Sequence, residues 1–133
     1  MIQETWKPIV GYEDAYEISD LGRVRSLDRI IAIRFGVMGR LRGKMLKVYT
    51  HPSDHYPTIR LKGHRHNIHT LVLTAFRGSK PKGMECGHLN DDPVDNRLCN
   101  LEWMTHKRNG ELAAFNNTGT GKGAYPDYPR RVR

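Results

Sequence analysis

Residues 83–115 read GMECGHLNDDPVDNRLCNLEWMTHKRNGELAAF, and this stretch leaves little freedom in how it folds. It predicts a strand ending at His88, a polar loop over 89–100, a short second strand over 101–103 and a helix over 106–115. The loop is dense in Asn and Asp and contains Pro93, all turn formers. Leu101-Glu102-Trp103 alternates apolar and polar, as a half-buried strand does. Thr105 suits a helix N-cap because its hydroxyl accepts from a first-turn N–H, and no proline follows before Phe115. His88 therefore stands between a strand end and a loop, with Asn100 twelve residues on and Asn109 nine further.

The rest of the chain has to supply a partner for that unit. At 133 residues it supports one compact domain with a modest core. Its formal charge is +8, with 22 basic residues against 14 acidic ones and a pI near 9.8. Such an excess suits a polyanion, with nucleic acid the default and a membrane surface the alternative. No apolar run approaches the roughly 20 residues of a spanning helix, and the N-terminus lacks a signal-peptide pattern. The expectation is a soluble, intracellular protein without membrane contact. Cys86 and Cys99 are too few for a disulfide framework and offer no C-x-x-C pair for zinc, so both are expected to be reduced, buried, small hydrophobes.

The charge is concentrated. Residues 21–65 carry eleven Lys and Arg against Asp28 and Asp54, a net +9 that exceeds the whole-chain excess. Arg23, Arg25, Arg40, Arg42, Lys44, Lys47, Arg60 and Lys62 are candidate phosphate contacts, which fix position without reading bases. Residues 1–27 hold two strand-like runs. Gly36, Gly39 and Gly43 mark turns, and residues 44–49 and 56–61 read as two strands joined by a loop over 50–55. Alternation would then set Arg60 and Lys62 on one strand face. Residues 68–76 predict a short amphipathic helix headed by His69, read as a supporting residue rather than a catalytic one. Residues 116–133 are rich in Gly, Asn and Pro and are expected to form a flexible basic tail.

Phosphodiester hydrolysis needs a base for water, a cation for the departing oxygen and a group that orients the base. His88 suits the first task, since a neutral imidazole near pH 7 accepts a proton from water. Its place beside the polar loop would expose it toward a phosphate.

Gly87-His88, Asp95-Asn96-Arg97, Asn100-Leu101-Glu102-Trp103 and Asn109 together resemble the HNH endonuclease family, in the branch of phage- and intron-encoded homing nucleases. Upstream, Trp6-Lys7-Pro8-Ile9, Gly11-Tyr12, Tyr16-Glu17-Ile18-Ser19 and Gly22-Arg23-Val24-Arg25-Ser26 are similar to a modular DNA-binding motif that precedes such cores. The resemblance implies an α+β protein: an antiparallel N-terminal β region over 1–62, then a ββα-metal (His-Me finger) nuclease core over 63–115, its ββα motif at 84–115. It implies His88 as general base, Asn100 as the residue that orients it, and Asn109 as a metal ligand on the helix. His106, three residues earlier and on the same face, is a candidate second ligand. The implied activity is metal-dependent hydrolysis of double-stranded DNA to 3′-hydroxyl and 5′-phosphate ends, by a monomer in the cytoplasm of a bacterial host.

One departure is visible. The position before the histidine often carries an acidic metal ligand in the family, and here it is Gly87. Either Asp91, Asp92, Glu85 or His106 substitutes, or metal binding is weak. Oxygen ligands favour Mg²⁺ or Mn²⁺, and imidazole widens the choice to Zn²⁺ or Ni²⁺. Gly87 also motivates an alternative, a non-catalytic DNA-binding protein on a degenerate scaffold. A basic RNA-binding module ranks lower, since no aromatic platform of the single-strand type stands out.

Overall fold

The computed structural model describes residues 3–53 and 55–117. Strands β1 (Trp6–Pro8), β2 (Tyr16–Ser19) and β3 (Val24–Ser26) form an antiparallel meander. A separate hairpin follows, β4 (Arg29–Arg34) with β5 (Val37–Leu41). A second three-stranded sheet comprises β6 (Tyr49–Thr50), β7 (Pro57–Leu61) and β8 (His64–Asn67), and leads into helix α1 (Ile68–Arg77). Strands β9 (Met84–His88) and β10 (Leu101–Thr105) pair antiparallel, with His88 opposite Leu101, and helix α2 (His106–Asn117) closes the described chain. The architecture is α+β, with a ββα unit formed by β9, β10 and α2.

Helix α1 is the centre of this arrangement. Its Ile68, Leu71, Val72 and Leu73 are buried against Ile9, Ile18 and Val24 of the N-terminal region, Ile59 and Leu61 of β7, and Leu101 of β10. Each such aliphatic side chain contributes about 1.5–3 kcal/mol by leaving water. One apolar core thus joins the N-terminal sheet to the ββα unit. Helix α2 begins as its cap predicts, with Thr105 Oγ1 accepting from the Arg108 N–H at 3.2 Å.

Several local expectations change. Of residues 44–49 only Tyr49 pairs with 56–61, opposite Thr58; residues 44–46 run beside β3 instead, with the Ser26 N–H donating to the Lys44 carbonyl and the Leu46 N–H to that of Val24. Lys62 leaves the Arg60 face because it sits in a two-residue turn with Gly63, both at positive φ (49° and 85°), the geometry that joins twisted hairpin strands. Strands β4, β5 and β8 lie where the sequence suggested only turns and loop. Gly39 is inside β5, where Ile33 lies over it, rather than in a turn. Residue 116 belongs to α2, and the expected tail from 118 onward lies outside the described residues.

The turn between β2 and β3 meets the loop over 89–100 directly. Buried Ser19 accepts from the N–H groups of Leu21 and Arg23, closing the turn around Gly22. The Asp20 carbonyl accepts from the Leu98 N–H at 2.8 Å. A Cβ at Gly22 would stand 3.1 Å from the Asn96 carbonyl oxygen, and φ there is +83°. Gly22→Ala is expected to cost about 1–3 kcal/mol in chemical denaturation, from backbone strain plus crowding of Asn96. Gly11→Ala, at φ +89° with nothing within 4 Å, carries the strain alone and should cost less. Equal losses at the two sites would refute the contact with Asn96.

Candidate active site

His88 ends β9, and its ring is 9% exposed, more enclosed than a loop-edge position suggests. Its Nε2 lies 2.8 Å from Asn96 Oδ1. An amide oxygen only accepts, so Nε2 carries the proton and Nδ1 is the basic nitrogen. Burial pushes the His88 pKa below its ordinary value, against the opposing pull of the Asn96 bond and of Asp95, Asp92 and Asp91. The ring is therefore neutral at pH 7, the form that accepts a proton.

Asn96 holds its place because the loop over 89–100 is tied internally. Fully buried Asn100 donates from Nδ2 to the Asp95 carbonyl at 2.8 Å and accepts at Oδ1 from the Asn90 N–H at 3.0 Å. Asp95 accepts from Asn90 Nδ2 and from both Nε and a terminal nitrogen of Arg97, at 2.7–2.9 Å. Burial raises the Asp95 pKa, but its bonds to Arg97 and Asn90 outweigh that and hold the carboxyl below its ordinary value. The resemblance implied that Asn100 bonds the histidine ring or its neighbourhood; its side chain bonds the neighbouring loop, and the ring contact is made by Asn96. Asn100 acts one step back by fixing the loop that carries Asn96. The spacing of eight residues within Asp95-Asn96-Arg97 was the available signal.

His69 packs edge-on to His88, with ring centroids 5.3 Å apart, and Tyr56 lies 5.4 Å from His69 and 6.1 Å from His88. Burial, and then the neighbouring His88, depress the His69 pKa to about 4. Its Nδ1 is buried and has no hydrogen-bond partner among the described residues. Tyr56 carried no signal in the sequence beyond its place in a predicted strand.

Three residues before His88 on β9, Glu85 Oε1 accepts from Asn109 Nδ2 at 2.7 Å, and His106 Nδ1 approaches the same carboxylate at 3.4–3.5 Å. The bond from Asn109 is the main cause of a lowered Glu85 pKa. Two helix residues three apart and one strand carboxylate converge here, a donor set of amide oxygen, imidazole and carboxylate that fits a divalent ion. Among the described residues no three His, Cys, Asp or Glu gather as a metal cluster. Gly87 contributes no donor, and its φ is not positive; the side chain of buried Met104 fills the space a Cβ there would enter. Cys86 is held protonated, its pKa pushed by burial to about 12, and Cys99 is exposed rather than buried.

The basic candidates divide into two groups. Arg23 pairs with Glu4, Arg25 with Glu17 at 2.7 Å while lying 4.0 Å over the Trp6 ring, and Arg40 with Asp28 at 2.7 Å. Their charge is locally offset. Arg42, Lys44 and Lys62 are exposed, and Lys47, Arg60 and Arg65 line a cleft of about 420 Å³ with Tyr49 and Thr58, a lining that does not include His88.

Residues 66–111 match the family described as HNH endonuclease, and residues 4–62 match the NUMOD4 motif. The chain is 34% identical over 120 residues to the uncharacterized HNH endonuclease L247 of Acanthamoeba polyphaga mimivirus, covering 86% of this chain and 27% of that protein. It is 33% identical over 110 residues to the DNA endonuclease I-HmuI of Bacillus phage SP01, covering 80% of this chain and 55% of that protein. A solved structure of the HNH homing endonuclease I-HmuI, described for DNA binding and cleavage, matches with a TM-score of 0.61 at 29% identity. That match covers 92% of this chain and 62% of the other. The chain thus spans about a quarter to just over half the length of these two relatives.

The paired histidines give stability a definite pH dependence. Above pH 6.5 both rings are neutral whether folded or unfolded. Below it the unfolded chain takes up protons that the buried rings refuse, so stability falls toward pH 4, where His69 protonates in the fold as well. His69→Leu is expected to flatten thermal stability across that window, recovering at most about 3 kcal/mol of the loss. A variant melting curve with the wild-type pH slope would refute the neutral buried ring.

Proposed function

The chain belongs to the HNH endonuclease family, with a NUMOD4 motif ahead of its HNH domain, and from that membership we propose a divalent-metal-dependent endonuclease that hydrolyses double-stranded DNA. The observation that carries the reading is the neutral His88 ring, its Nε2 committed to Asn96 so that Nδ1 is the basic atom. His88 Nδ1 takes a proton from water as that water attacks the phosphorus. The bond from phosphorus to the 3′ oxygen breaks, and that oxygen takes a proton from solvent, leaving 3′-hydroxyl and 5′-phosphate ends. Asn96 fixes the ring's tautomer and plane, and Asn100 fixes Asn96 through the Asp95 carbonyl. Asn109, with Glu85 and His106 beside it, would hold a divalent ion, and such an ion supplies positive charge to the transition state and the leaving oxygen.

Residues 1–62 act in this reading as the DNA-positioning module and 63–115 as the nuclease, with Arg42, Lys44, Lys47, Arg60 and Lys62 on phosphates. Arg23, Arg25 and Arg40 contribute less, because their ion pairs must first be given up. A relative from a Bacillus phage supports a bacterial host cytoplasm as the site of action. No helix among the described residues is long and apolar enough to cross a membrane. One observation favours a second reading. Met104 occupies the space before Gly87 where a carboxylate would project, as in a DNA-binding protein whose metal site has been lost.

A plasmid-cleavage assay across Mg²⁺, Mn²⁺, Zn²⁺ and Ni²⁺ separates the two, and no cleavage with any metal would leave the second. His88→Ala is expected to lower the cleavage rate by about 10²–10⁴-fold while DNA affinity holds. The wild-type rate should rise with pH to a plateau, its midpoint below 6.5 because burial favours the neutral ring. Asn96→Asp sets a carboxylate against Nε2, so that midpoint should move to higher pH; an unmoved profile would remove His88 from the role of base.

Binding by the cations is tested separately. Replacing Arg42, Lys47 and Arg60 with Gln should reduce the slope of log affinity against log salt by roughly 0.9 for every phosphate that a removed cation had neutralised. An unchanged slope would locate the DNA surface elsewhere.

A further inference from the structure

The β4–β5 hairpin is an unusual object for a protein surface. Among the described residues its strands pair only with each other. Its register puts Ile30 opposite Arg40 and Ala32 opposite Met38 on one face. The other face has Ile31 opposite Gly39, with Ile33 folded over that glycine. Both faces are apolar and both meet solvent: Ile30 is 64% exposed, Ile33 61% and Met38 59%. A two-stranded ribbon is only marginally stable by itself, and this one buries neither face.

Its root, by contrast, is fixed. Asp28 accepts from the Gly43 N–H at 2.6 Å and pairs with Arg40, and the Arg29 guanidinium lies 5.1 Å over the Tyr16 ring. Gly43 crosses so close to the Ser26 carbonyl that a side chain there would collide with it. The tip is Phe35-Gly36, both at positive φ (50° and 77°), and Phe35 is 95% exposed. Phenylalanine in the left-handed region is strained, and asparagine or glycine would sit there more easily. The most exposed large hydrophobic residue of the described chain therefore occupies the outermost point of a rigidly rooted arm, at a conformational cost.

Charge identifies what the arm meets. Residues 28–43 carry Arg29, Arg34, Arg40 and Arg42 against Asp28 alone. A second copy would bring the same four cations and repel; a duplex brings phosphates. We propose that the β4–β5 hairpin is a DNA wedge, its arginines lying along the backbone while Phe35 inserts between two base pairs and unstacks them. Apolar side chains used in this way kink the duplex, and pyrimidine–purine steps open most easily. The wedge would then favour a TA or CA step that no side chain hydrogen-bonds. This inference rests on the DNA-binding reading above and adds a site and a sequence preference to it.

The test uses the full chain in EDTA, which prevents cleavage, with G·C-rich duplexes carrying one 2-aminopurine in a TA step or in a control step. Wild type is expected to raise 2-aminopurine fluorescence severalfold at the TA step, as unstacking relieves quenching. Phe35→Ala should abolish the rise and weaken binding by about tenfold, the scale of a single base–aromatic stack. Its salt slope should stay that of wild type, because every cation is retained. Phe35→Trp should retain the fluorescence rise. If Phe35→Ala matches wild type in fluorescence and affinity, the wedge is wrong although DNA binding stands. If sedimentation instead shows a wild-type dimer that Phe35→Ala dissociates, the tip is a self-association surface and the wedge is overturned. If wild type binds no duplex even at low salt, the DNA-binding reading fails and the wedge falls with it.

Discussion

The buried polar network of the loop over 89–100 is the constraint on which this structure depends. Asn90, Asp95 and Asn100 are all nearly inaccessible to water, and a buried polar group left without a partner costs about 1–3 kcal/mol. The loop meets that demand internally, through Asn100 to the Asp95 carbonyl, Asn90 to Asp95, and Arg97 clamped on the same carboxylate. Because these bonds share members, they lock together and leave Asn96 one position relative to the strand pair. The histidine's tautomer and its orientation follow from that position, while its depressed pKa comes from burial, which the Asn96 bond opposes.

Those parts of the fold governed by local signals were legible in the sequence. The β9–loop–β10–α2 order, the Thr105 cap and the α1 helix follow from turn residues, period and capping chemistry, and the structure agrees to within two residues at most ends. The N-terminal meander follows from its alternating residues. The β4–β5 hairpin was not legible, because its apolar residues face water on both sides and so show no single-face alternation. Its turn, and the Lys62-Gly63 turn, lack the Asn-Gly pairs that usually announce such geometry. In the site, His88, Asn109 and His106 could be picked out by type and spacing. Which of Asn96 and Asn100 touches the ring could not, since both are loop asparagines within reach and only the path of the backbone distinguishes them.

Charge behaves similarly at a coarser scale. The net +9 of residues 21–65 concentrates the positive charge of the chain in this segment. Yet three of its arginines are engaged by Glu4, Glu17 and Asp28, two of them also lying over the Trp6 ring, where they brace the meander. A count of cations therefore overstates the field offered to a ligand. Among the described residues the exposed cations without an ion pair include Arg42, Lys44, Lys47 and Lys62.

The seating of Gly22 against Asn96 bears on how genes of this kind exchange parts. The two family matches, 4–62 and 66–111, meet in a short gap that looks like a natural crossover point for recombination. In space the halves interlock some forty residues upstream of that gap, where the Asp20 carbonyl and the bare Gly22 backbone abut Leu98 and Asn96. A chimera joined at the gap would import a foreign turn beneath the asparagine that aims the histidine. Any donor sequence lacking a glycine at that point would press on it. Successful shuffling must therefore carry the β2–β3 turn together with the loop it supports, however far apart the two lie along the gene.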